Sequence, residues 1–97
     1  MSLIIGFGKI ILRLPENNTL KGKRKIIKSI LGKMKNTFNV SAAEIGENDT
    51  HRKSELGFSM VGNNSAHINS KLDKLINMVD DMGMAEIVDT QIEIMHC

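Results

Sequence analysis

Lys21, Lys23, Arg24, Lys25, Lys28 and Lys35 fall within fifteen residues, and no acid interrupts the stretch between Asn17 and Ala43. Ammonium groups at this density, with one guanidinium fork among them, suit the oxygens of a phosphodiester backbone. Arg52 adds a further cation from a polar loop. Contacts of this kind supply affinity and salt dependence without choosing a base. The same residues would also make a solvated helix face, and their types alone do not separate the two.

Other chemistry is sparse. His51, His67, His96 and Cys97 have no metal-ligand spacing, and His96 and Cys97, being adjacent, would point opposite ways on a strand. There is no nucleophile–base arrangement and no phosphate-cradling glycine loop. Glu44 stands as a lone carboxylate and reads as a surface residue. The expectation is therefore a non-enzymatic protein with no catalytic residue, no cofactor and no metal.

The element that must position the cations is Leu20 to Phe38. At 100° per residue, Ile26, Ile27, Ile30, Leu31, Met34 and Phe38 share one sector, while Lys21, Arg24, Lys25, Lys28 and Lys35 lie opposite. Asn18 or Thr19 is placed to cap this amphipathic helix. Lys21/Lys25 and Arg24/Lys28 repel at i,i+4 spacing. Gly32 falls on the polar side, where close packing does not explain it and where it costs about 1 kcal/mol against Ala.

Around this helix, Ile4 to Leu14 alternates as a strand with Ile4, Ile10, Leu12 and Leu14 inward, stopped by Pro15. Asn39 to Ile45 and Glu55 to Val61 read as a hairpin joined by the long polar loop from Gly46 to Ser54. Ala66 to Met82 keeps a 3.6-residue period and Gly83 ends it. Ile87 to Met95 reads as the last strand, with Val88, Thr90, Ile92 and Ile94 inward and Ile87, Asp89, Gln91 and Glu93 outward. The order β-α-β-β-α-β is that of the α+β ferredoxin-like sandwich: a four-stranded antiparallel sheet, strand order 4-1-3-2, with two helices on one face. Lys9 and Arg13 are then expected beside Asp89 and Glu93. The open face would carry Phe7, Ile11 and Ile87 among charges, a surface of the kind that closes a homodimer. An RNA-recognition sheet would need Phe7 and Phe58 both on that face, whereas Phe58 is expected in the core.

Ninety-seven residues and 41% hydrophobic content make one domain, residues 1–97. No run approaches the ~20 apolar residues of a membrane span. Lys9 and Arg13 break the apolar first strand, so no secretory signal is expected, and the single Cys97 fits a reducing, cytoplasmic setting. The net charge of +2 is segregated: residues 1–40 hold nine Lys or Arg against Glu16 alone, and residues 41–97 hold four against ten acids. That asymmetry is the second pointer to a polyanion.

The segments Leu12-Arg13-Leu14-Pro15, Leu20-Lys21-Gly22-Lys23-Arg24, Phe38 to Gly46 and Glu55-Leu56-Gly57 resemble, in sequence and order, the YlxP-like family of small bacterial proteins. The resemblance covers nearly the whole chain and implies the same ferredoxin-like fold. The family is one of unknown function, so no catalytic residue follows from it. Its genes lie, in some bacteria, among those for translation and ribosome maturation, which implies RNA or the ribosome as a partner. Family members often carry an aromatic residue and Gln where this chain has His51 and Arg52. The reading is an RNA- or ribosome-associated module using its basic helix. The alternative is a homodimeric structural or protein-interaction module in which the charge serves only solubility.

Overall fold

The computed structural model describes residues 2–97. Six elements follow one another: β1 (Ile4–Arg13), α1 (Leu20–Thr37), β2 (Ser41–Gly46), β3 (Lys53–Gly62), α2 (Ser65–Asp81) and β4 (Glu86–His96). The four strands form one antiparallel sheet in the order β2-β3-β1-β4, and this is the ferredoxin-like arrangement expected from the sequence.

Both helices start where a side chain can replace a missing intrahelical partner. Thr19 Oγ1 accepts from Gly22 N at 3.0 Å, and Asn64 Oδ1 accepts from His67 N at 3.1 Å. At the far end of α2, Gly83 takes a φ of 64°, a left-handed conformation that a side chain would resist. The helices lie on one face. α1 packs over β2, and α2 packs over β1, β3 and β4. Gly6 of β1 lets α2 sit close to the sheet, because an added Cβ there would run into Ile68 and Leu72.

Alternation decides what is buried. From β1 come Ile4, Ile10 and Leu12, joined by Leu14; from β3 come Leu56, Phe58 and Met60. They meet Ile27, Ile30 and Met34 of α1 and Ile68, Leu72, Leu75 and Val79 of α2. Phe58 is thus core, as expected, and only Phe7 of the two strand aromatics is on the open face, half-buried. Two aromatics for base stacking are not available there.

Three expectations about the sheet are corrected. A β-bulge shifts the β1–β4 register between Ile11 and Leu12, so Ile87 comes opposite Leu12 and packs on the core while Val88 turns outward, 57% exposed. Ile87 therefore leaves the open face, and Phe7 and Ile11 remain there half-buried. Arg13 pairs with Glu86 (2.6 Å) and Lys9 with Glu55 across to β3 (2.9 Å), not with Asp89 or Glu93. The register places Gln91 opposite Lys9. Finally, β3 begins at Lys53, two residues before the expected Glu55, and shortens the connecting loop to residues 47–52.

Candidate nucleic-acid interface

The wheel of α1 holds cations of two kinds. Lys23 falls in the apolar sector, four, seven and eleven residues before Ile27, Ile30 and Met34, and it is buried with them at 1% exposure. Its Nζ makes an ion pair with Glu44 Oε2 at 3.0 Å, donates to the backbone oxygen of Thr50 at 2.7 Å, and donates to that of Glu47. An ammonium has three donors, so all are used. Glu44 accepts in turn from Ser54 Oγ at 2.5 Å. Among the described residues no buried side-chain polar atom lacks a partner.

This corrects two readings. Lys23 is not on the surface and is removed from the nucleic-acid candidates. Glu44 is not an exposed carboxylate: it faces inward on β2, with its side chain 19% accessible, and serves as the counter-ion of Lys23. The signal was present in the wheel, since Lys23 occupies an apolar position. The acid that answers it, however, lies 21 positions on, in another element.

Lys23 also organises the β2–β3 loop. The carbonyls it binds belong to one turn, closed by Thr50 N donating to Glu47 O at 3.1 Å, with Glu47 held at a φ of 60°. Thr50 Oγ1 donates to Glu47 Oε2 at 3.0 Å. The other side of the loop is tied to the segment before α1. Asn17 Nδ2 donates to His51 O at 2.6 Å, Leu14 N donates to Arg52 O at 2.8 Å, and Arg52 Nη2 donates to Asn18 Oδ1 at 3.0 Å. Arg52, exposed, is thereby brought beside the first turn of α1.

The remaining candidates, Lys21, Arg24, Lys25, Lys28 and Lys35, are all exposed on α1. None forms an ion pair among the described residues, where the three pairs found involve Lys9, Arg13 and Lys23. Lys33, not singled out from the sequence, is exposed on the same helix. Of the acids of the second half, Glu44 reaches the edge of this face but pairs with Lys23, and the five cations stay exposed. No acid lies in the first turn of α1 either, so the positive end of the helix dipole adds to these charges instead of being offset. Along the side of α1 nearest β2, Arg24, Lys28, Leu31, Gly32 and Lys35 line a shallow concavity of about 420 Å³.

No group of three or more His, Cys, Asp or Glu placed to hold a metal occurs among the described residues, and no helix of the structure is long and apolar enough to cross a membrane.

Comparison with known proteins agrees with this architecture. Among solved structures, the de novo designed protein Foldit4 superposes with a TM-score of 0.52 at 12% identity, covering 98% of this chain and 96% of that one. LarC2, the C-terminal domain of a cyclometallase involved in synthesis of the NPN cofactor of lactate racemase, gives 0.51 at 9% identity, covering all of this chain and 58% of that one. These likenesses concern the fold alone. The uncharacterized protein YlxP of Bacillus subtilis (strain 168) is 30% identical over 90 residues, spanning 93% of this chain and 98% of that protein. The family model described as protein of unknown function (DUF503) matches residues 5–92. On these two matches, the chain belongs to the YlxP-like DUF503 family.

Proposed function

We propose that this protein is a non-catalytic module that binds RNA, free or within the ribosome, through the exposed face of α1. The observation that carries the reading is the lack of compensation. Five cations, Lys21, Arg24, Lys25, Lys28 and Lys35, stand on one helix with no acid paired to them among the described residues. A face serving only solubility does as well with Glu interleaved, and interleaving would stabilise the helix through i,i+4 pairs. A phosphate backbone supplies the missing negative charge.

The test is co-sedimentation with ribosomes and with total RNA at about 50 and 200 mM salt. Five phosphate contacts predict a loss of roughly 10²–10³ in affinity across that range. The Lys21→Glu/Arg24→Glu/Lys28→Glu variant should keep its fold and lose binding. Retention of parental binding by that folded variant would refute the proposal.

A second reading is self-association through the open sheet face. It is favoured by Val61 and Met95, 67% and 48% exposed, which lie either side of Ile5. Light scattering on the parent and on Phe7→Glu decides it: a mass twice that of the monomer, abolished by the substitution, supports the dimer.

A further inference from the structure

Gly32 stands apart from the other glycines of this chain. The other seven each have a close neighbour or a positive φ. At Gly6, Gly8, Gly22, Gly46, Gly57 and Gly62 an added Cβ would come to 3.0 Å or less from a neighbouring atom, and Gly83 has a φ of 64°. A Cβ on Gly32 would meet nothing within 4 Å. Its backbone is α-helix, in the middle of an unbroken run from Leu20 to Thr37, and its φ is not positive. Glycine there weakens the helix relative to alanine with no intramolecular return.

What surrounds Gly32 indicates what the bare backbone is for. It lies in the shallow groove along α1 with Arg24, Lys28 and Lys35, and Ile27 and Leu31 supply apolar surface beneath them. Glu44 also reaches this groove, but its charge is answered by Lys23 and Ser54. The groove is therefore net positive. It runs beside β2, an edge strand, so no further strand covers it. Resting on the reading of α1 as an RNA-binding face, we infer that the groove seats the sugar–phosphate backbone of a single RNA strand, which passes over Gly32 at a distance that a side chain would forbid. Arg24, Lys28 and Lys35 take the phosphates, and the sugars lie on Leu31 and the glycine backbone. From Arg24 to Lys35 the helix rises about 16 Å, the length of roughly five stacked nucleotides at ~3.4 Å each.

The probe is a fluorescent single-stranded uridine 12-mer, titrated by anisotropy at several salt concentrations against the parent, Gly32→Ala, Gly32→Gln and the triple charge-reversal variant. Gly32→Ala should raise Tm by about 4–8 °C. Gly32→Gln should bind about tenfold more weakly, with the slope of log K against log salt unchanged, because no cation has been removed. The triple variant should lose both affinity and slope. If Gly32→Gln binds as the parent does while the triple variant fails, the groove inference is overturned and the basic-face reading stands. If the triple variant binds normally, both fall. Displacement of the 12-mer by poly-glutamate at equal charge concentration, or equal affinity for a duplex of the same length, would also overturn it.

Discussion

Lys23 and Lys28 sit on the same helix, five residues apart, and the fold treats them in opposite ways. Lys23 is sealed against Glu44 with every donor used; Lys28 is exposed and forms no ion pair among the described residues. Both carry the same charge and the same flexible stem. The difference lies in the wheel: one falls in the sector that the sheet must cover, and the other does not. A buried charge has to be answered by the protein, whereas an exposed one can be left for something else to answer. The contrast separates the cations that hold the fold together from those free to serve binding.

The contrast can be broken most severely at its buried end. Lys23→Ala removes the counter-ion of Glu44 and one donor from each of two loop carbonyls, and removing one partner of a buried pair costs about 3–5 kcal/mol. Urea unfolding should show this loss, and hydrogen exchange should show the turn from Glu47 to Thr50 opening. A Lys23→Met/Glu44→Leu double variant should recover much of the loss, because neither charge is then stranded. If Lys23→Ala unfolds with the parental midpoint, the distinction between the two kinds of lysine is empty. At the exposed end, Lys28→Ala should leave stability within about 0.5 kcal/mol. It should reduce the salt slope of RNA binding by about 0.7–0.9. The smallest effect belongs to Arg13→Ala. Its pair with Glu86 is half exposed, so the loss should be under about 1 kcal/mol and should shrink further in salt.

The fold was legible in the sequence because its signals are local and repeated. The 3.6-residue period of both helices, the period of two in β1 and β3, Pro15, Gly83 and a cap at Asn18 or Thr19 all agree with one another. What escaped depends on pairings between distant elements. The run Ile87-Val88-Asp89-Thr90 fits a strand in either phase, and only pairing with β1 creates the bulge that sends Val88 out and Ile87 in. Lys9 found Glu55 because β3, not β4, carries the acid its side chain reaches. At the candidate site, the exposed cations were legible as a wheel sector. The removal of Lys23 needed knowledge of what lies under that wheel.

The place of β1 in the sheet has a consequence for how the chain is made. β1 is translated first among the strands and β4 last, yet they are neighbours, with residues 14–85 between them. At bacterial-to-eukaryotic elongation rates the ribosome needs roughly 4–15 s to cover that interval. Throughout it, the side of β1 that β4 will cover has no partner strand along its glycine- and isoleucine-rich edge. Nascent chains crowded on a polysome therefore present matching sticky margins to each other until β4 arrives. Slowing translation ahead of Glu86 should increase the insoluble fraction without altering the finished protein.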